Sequence, residues 1–142
     1  MNIEQVSSPH LVGITDWVGR RTPLHCVANG KALLAFQSPD DIEHILSGTL
    51  QRFTKQTIVG KAALRADLAR VRERGYATAF GEVEDGLNAI AAPIGNARGL
   101  VEAAVSISGP AYRVTVERAA ALGLLAAAYA HRIAIRLGAP AR

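Results

Sequence analysis

Apolar positions recur along this chain with two periods, and the switches between them mark its elements. Across residues 61–74, Leu64, Leu68 and Val71 recur at spacings of four and three, while Arg65, Asp67, Arg72 and Glu73 lie away from them. That is the one-sided pattern of a helix covering a core, and Gly75 is placed to end it. Ser38-Pro39-Asp40-Asp41 ahead of Ile42, Ile45 and Leu46 predicts a shorter helix closed by Gly48. Ser38 is its N-cap, Pro39 takes the first helical position, and the acids sit at the positive end of the helix dipole. Tyr76–Phe80, Leu87–Ile94 and Leu100–Ser108 read as strands. Gly95-Asn96-Ala97-Arg98-Gly99 is a hairpin-type loop, so the last two strands should pair antiparallel. Asn2–Val6 and Leu11–Val18, on either side of Ser7-Ser8-Pro9, suggest another hairpin with Trp17 near its end.

The last predicted helix runs from about Val116 to Leu137 and carries two faces. Leu122, Leu125, Tyr129 and Ile133 form one; Ala119, Gly123, Ala126 or Ala127, Ala130 and Ala134 form the other. Small side chains permit close approach of another helix, and no long partner helix precedes this one. The small face is therefore expected to meet another subunit or a missing segment. The order of elements indicates an α+β domain with helices packed against a mainly antiparallel sheet.

A chain of 142 residues fits one domain, and such a domain buries roughly 68–70% of the surface its unfolded chain exposes. The single Cys26 cannot form an internal bridge and no Cys/His cluster has zinc spacing, which fits a reducing, cytoplasmic setting and calls for no metal or cofactor. Met1–Val6 lacks the basic and apolar regions of a secretory signal. The weakly apolar run from Ala119 to Ala130 is well short of the roughly 20 residues that span a bilayer, so no membrane partner is expected. The net charge of +4 comes mostly from arginines scattered on helices. Without a basic block or interleaved aromatics, they read as a solvated surface rather than a nucleic-acid site.

Pro23-Leu24-His25 followed by Gly30-Lys31-Ala32-Leu33-Leu34-Ala35 places a turn before a glycine-opened helix. Backbone N–H groups around Ala28 to Gly30 can hold an anionic group there, or the stretch is an ordinary corner. Ser106 and Ser108, two apart on a strand, project together, with Val105 and Ile107 on the other side. On an internal face such a pair would hydrogen-bond a small oxygenated ligand. Glu82, Glu84 and Asp85 are either paired carboxylates for acid–base work or a solvated loop. Cys26 beside His25 invites a thiol-nucleophile reading, but adjacent residues in an extended segment point to opposite sides, which leaves a buried Cys26 and a packing or capping His25. Neither Gly-x-Ser-x-Gly nor a Walker phosphate loop is present. A small enzyme using Cys26 or the Glu82 region, and a pure oligomerisation domain, stand as alternatives to a binding module.

Six linked motifs carry a resemblance that runs nearly the whole chain. They are Val18-Gly19-Arg20-Arg21-Thr22-Pro23-Leu24-His25, Gly30 to Ala35, Arg74-Gly75-Tyr76-Ala77, Glu82 with Gly86-Leu87, Ile90-Ala91-Ala92-Pro93-Ile94, and Val105-Ser106-Ile107-Ser108-Gly109-Pro110. In this order and spacing the chain resembles the C-terminal effector-binding domain of IclR-type bacterial transcriptional regulators. The resemblance implies a GAF-like α+β domain over residues 1–142 and no catalysis. It implies a small-metabolite effector, often a carboxylate or aromatic acid, and a homodimer or homotetramer that couples ligand to DNA affinity. By position it puts Leu11, Ile14, Thr22, Ala28, Asn29, Ala79, Leu87, Ala89, Ser106 and Ser108 around the ligand. Positions 79 and 89 are both Ala, where a relative can carry a contacting acid and thiol, so fewer polar contacts and a larger or more apolar effector are expected. Asn29 stands where a small residue is usual and brings an amide. The winged helix-turn-helix, the linker helix and the elements that usually open the effector domain have no counterpart here, so the chain is expected to be part of a regulator that meets DNA only through another domain.

Overall fold

The computed structural model describes residues 1–7, 9 and 16–141. Among them, four helices and three strands run in the order α1 (Ala28–Leu34), α2 (Pro39–Leu46), α3 (Lys61–Arg74), β1 (Ala77–Phe80), β2 (Leu87–Gly95), β3 (Val101–Pro110) and α4 (Ala119–Arg136). The strands form one antiparallel sheet in the order β1-β2-β3, as the α+β reading expects. α3 has the predicted bounds, and Gly75 closes it in the left-handed region at φ 81°. The Ser38 hydroxyl accepts from the Asp41 N–H at 3.1 Å and caps α2. The β2–β3 turn is held by Asn96, whose side-chain oxygen accepts from the N–H groups of Arg98 and Leu100 at 2.8 and 3.1 Å.

The sheet separates two cores. On one face Ala77, Ala79 and Ala91 pack with Ala28 and Ala32 of α1, Ile42 and Leu46 of α2, and Leu64, Leu68 and Val71 of α3. On the other, Ala92 and Ile94, joined by Val105 and Ile107, meet Ala126, Ala130 and Ala134 of α4. This second core overturns the expected role of the small helix face. The alanine stripe of α4 is covered by its own sheet, and Leu124, Leu125 and Tyr129 are the exposed side chains. The β-branched side chains of the sheet supply the bulk there, so the helix must supply little. At Gly123 even one methyl would come within 2.5–2.6 Å of the Tyr76 ring.

Two further expectations fail. Asn2–Val6 is not a strand: Asn2 makes one isolated bridge to Val18, and it is parallel rather than the antiparallel pairing of a hairpin. Most of the second arm, residues 11–15, lies outside the described residues. Asp67, placed off the core by its charge, is buried. No described helix is long and apolar enough to cross a membrane.

Candidate functional site

Strand register builds the site. Ala79 of β1 pairs with Ala89 of β2, which pairs with Ser108 of β3; one step along, Ala77, Ala91 and Ser106 form a parallel row. Paired residues share a face of a sheet. Because Ala77, Ala79 and Ala91 pack in the α1 core with Ala89 against it, both serine hydroxyls project to the α1 side. The pair inferred from two-residue spacing therefore lies on an internal face. Both serines are half-buried, and among the described residues neither hydroxyl has a hydrogen-bond partner in the protein. Leu87 opens β2 two residues before Ala89 and shares its face.

α1 lies over this face. A Cβ at Gly30 would overlap the backbone of Leu24, so glycine is what lets the incoming segment cross the start of the helix. That segment carries Thr22, half-buried. The N-cap Val27 supplies no side-chain acceptor to the first turn, where Ala28 is buried and Asn29 follows with its Oδ1 buried and unpartnered. The structure thus brings Ala28, Ala79, Leu87, Ala89, Ser106 and Ser108 to one side of the sheet, with Asn29 next on α1. Leu11 and Ile14 lie outside the described residues.

Beneath α1 is a charged cluster. Lys31 is only 1% exposed, and its ammonium donates at 2.8 Å to both Asp67 of α3 and Glu82 of the β1–β2 loop. Arg70 reaches the other oxygen of Asp67 at 3.0 Å, while Glu82 Oε2 is buried without a partner. The Thr54 hydroxyl donates to the Gly81 carbonyl and the Thr57 hydroxyl to that of Glu82, both at 2.6 Å, which fixes the loop. Burial pushes the Glu82 carboxyl up, and the charge and hydrogen bond of Lys31 do not offset it. Burial acts on Asp67 too, but there Lys31 and Arg70 together hold the carboxyl below its usual range. Sequence reasoning missed Lys31 and Asp67. The signal for Asp67 was its position three after Leu64 and four before Val71, which flanks the apolar stripe.

The residues considered for catalysis are otherwise engaged. Glu84 and Asp85 are exposed, and Glu82 serves Lys31 rather than a second acid. Cys26 is fully buried, and burial, followed by the nearby Glu82 charge, pushes its thiol up to about 11. It is a thiol at neutral pH. His25 donates from Nε2 to the Gln51 carbonyl at 2.8 Å, the capping role expected of it. An open groove of about 480 Å³ lies elsewhere, between the β2–β3 turn and the second half of α4, lined by Ala92, Asn96, Arg98, Ala130, His131 and Ala134 among others. None of the predicted site residues lines it. With Arg98 and His131 exposed at its wall, it offers no buried polar group to orient a ligand.

The family described as bacterial transcriptional regulator IclR C-terminal matches residues 1–135. This chain belongs to the IclR family. The HTH-type transcriptional repressor AllR of Escherichia coli strain K12 is 39% identical over 137 residues, 96% of this chain and 51% of AllR. The chain thus spans about half the length of that relative. The crystal structure of Thermotoga maritima IclR superposes with a TM-score of 0.88 at 29% identity, over 95% of this chain and 55% of that one. A double mutant of the PobR inducer-binding domain from Acinetobacter, in complex with 3-hydroxybenzoic acid, gives a TM-score of 0.75 at 30% identity, over 82% of this chain and 67% of that one. An IclR C-terminal domain is an α+β unit with an antiparallel sheet, as found here, and the relatives are transcriptional regulators.

Proposed function

We propose that this chain is the effector-binding module of an IclR-type regulator and takes a small carboxylic or aromatic acid between the start of α1 and the serine-bearing face of the sheet. The observation that carries this reading is the row Ala79–Ala89–Ser108, with Ser106 beside it, under α1. Alanines keep space on the sheet, and two hydroxyls without partners among the described residues offer hydrogen bonds to oxygen-rich groups. The inducer-binding domain of PobR, a structural relative, is a complex with such an acid. Catalysis is not part of the proposal, since Cys26 and Glu82 are buried in structural contacts. The ligand acts on DNA affinity through a winged helix-turn-helix outside this chain, in a homodimer or homotetramer of the whole cytoplasmic regulator. The alanine face of α4 is already covered, so assembly uses other surfaces.

A thermal-shift screen of small carboxylic and aromatic acids tests this. A binder of the folded state stabilises it by about 2.7 kcal/mol at a hundredfold excess over its dissociation constant. Replacing both Ser106 and Ser108 by Ala should weaken the response by about 1–3 kcal/mol while leaving the unliganded melting temperature nearly unchanged. A response that survives the double change places the ligand elsewhere.

A further inference from the structure

The two edges of the sheet are finished differently. β1 is an edge of only four residues, and Arg74 guards it, its guanidinium donating to the Tyr76 carbonyl at 2.7 Å and to the Thr78 hydroxyl at 3.1 Å. β3 is the other edge. It runs ten residues, and from Ala103 to Tyr112 the chain carries no charge. The hydrogen-bond alternation of antiparallel strands decides which groups this edge presents. The Gly81 N–H donates to the Leu87 carbonyl at 2.9 Å and the Ala111 N–H to the Gly86 carbonyl at 2.8 Å. Leu87, Ala89 and Ala91 therefore bond toward β1, while Asn88, Ile90, Ala92 and Ile94 bond toward Gly109, Ile107, Val105 and Ala103. That leaves Ala104, Ser106 and Ser108 to turn their N–H and C=O groups outward, and among the described residues nothing pairs with them. A long, uncharged edge of this kind is a template for another strand.

We infer that this edge takes the same edge of a second copy, antiparallel across a twofold axis, so that one sheet continues through both. The ends of the free stretch set the register. At one end Glu102 is the extra residue of a bulge, because Ile94 pairs with Ala103 and Gly95 with Val101. At the other, Pro110 has no N–H to offer. The outward residues between them are symmetric about Ser106, so a twofold pair sets Ser106 opposite the partner's Ser106 and Ala104 opposite the partner's Ser108. Every outward N–H and C=O of the three then has a ladder partner. On the α4 side the same register sets Val105 beside the partner's Ile107, two residues only half-buried in one copy alone, and β-branched cross-strand pairs stabilise a sheet. The two Glu102 carboxylates fall at opposite ends of the ladder, so no like charges face each other. A strand that answers its own pattern in this way fits a second copy. The inference names an assembly surface whichever ligand the module takes, and it brings the serine rows of the two copies side by side.

The test is sedimentation of the unmodified chain over a wide range of concentration, with amide hydrogen exchange on the same samples. The chain should be a dimer at high concentration, with the amides of Ala104, Ser106 and Ser108 as slow to exchange as that of Ile107, which bonds to β2. Ala104→Pro removes an outward N–H and leaves the β2 ladder intact. Val105→Lys puts a charge against the partner's Ile107 and serves as the second variant should the proline fail to fold. Each should weaken dimerisation at least about tenfold and release the amides of Ser106 and Ser108, while Ile107 stays slow as the sign of an intact fold. Leu125→Glu, on the exposed face of α4, should leave the dimer unchanged. A monomer at every concentration overturns the inference, and so does slow exchange of the outward amides in a monomer. A dimer that survives both β3 changes, or that Leu125→Glu disrupts, overturns it as well. No ligand enters these readings, so their failure leaves the effector-binding proposal standing, and a failed acid screen leaves the edge pairing standing.

Discussion

The two faces of the sheet are built from the same three strands and solve opposite problems. Toward α4, Ala92 and Ile94 of β2, joined by Val105 and Ile107 of β3, meet a helix stripe of Ala126, Ala130 and Ala134. That core is apolar. Toward α1 the same strands present alanines and two serines, the helices above add Lys31, Asp67 and the unpaired Oδ1 of Asn29, and the β1–β2 loop adds the unpaired Oε2 of Glu82. Interiors reach close packing by matching bulk to space, and they tolerate polar atoms only with partners. The difference teaches that α4 closes its face as structure, while the α1 face keeps small side chains and unmet hydrogen bonds where a ligand can complete them.

The largest expected effect comes from the charged cluster that separates the faces most sharply. Lys31→Met leaves the carboxylates of Asp67 and Glu82 buried together without their shared cation, and breaking a buried ion pair in this way costs about 3–5 kcal/mol. Urea unfolding monitored by circular dichroism measures it. A loss below about 1 kcal/mol would show that water already reaches the cluster.

The α4 face gives the next largest effect. Ala130→Leu forces a larger side chain between helix and sheet, and overpacking of this kind costs about 1–3 kcal/mol. Leu124→Ala, at a position 66% exposed, should stay within about 0.5 kcal/mol. Equal costs at the two positions, read from the same denaturant curves, would erase the assignment of inside and outside on α4.

That assignment shows where the sequence was legible. α3 and the β2–β3 hairpin were read correctly because Leu64, Leu68, Val71 and the Asn96 turn are local signals that tertiary packing did not override. The helical state of α4 was equally plain, but its orientation was not. Its small-residue side was expected to meet another subunit or a missing segment, yet the choice depends on how much bulk the opposing strands provide, which only register reveals. The same holds at the site. The shared direction of Ser106 and Ser108 followed from strand periodicity, whereas the meeting of Ala79, Ala89 and Ser108 across three strands was reachable only through family resemblance. The N-terminal strand reading of Asn2–Val6 failed because its apolar residues are not drawn into a core: Ile3 and Val6 are exposed.

The smallest expected effect is on pH dependence. Asp67, held below its usual range, contributes stability above its unfolded value that is lost as pH falls through the lowered folded one. Glu82 has the opposite sign. Its carboxyl is pushed up from 4.5, so its contribution is present below that value and is lost as pH rises through the raised one. Glu82→Gln removes the second dependence, so the variant should gain stability relative to the original chain as pH rises above 4.5. A constant difference between the two across pH 4–7 would show that Lys31 keeps Glu82 at its ordinary value.

The direct test of the two-face account is alanine-methyl NMR during titration with the acid that gives the largest thermal shift. Alanines lie on both faces, so the methyls report the ligand's side without further labels. The account predicts that Ala28, Ala79 and Ala89 shift and saturate with the dissociation constant, while Ala92, Ala126 and Ala130 remain in place. Saturating shifts confined to Ala92, Ala127 and Ala130, beside the β2–β3 turn, would put the ligand in the groove under α4 and contradict it.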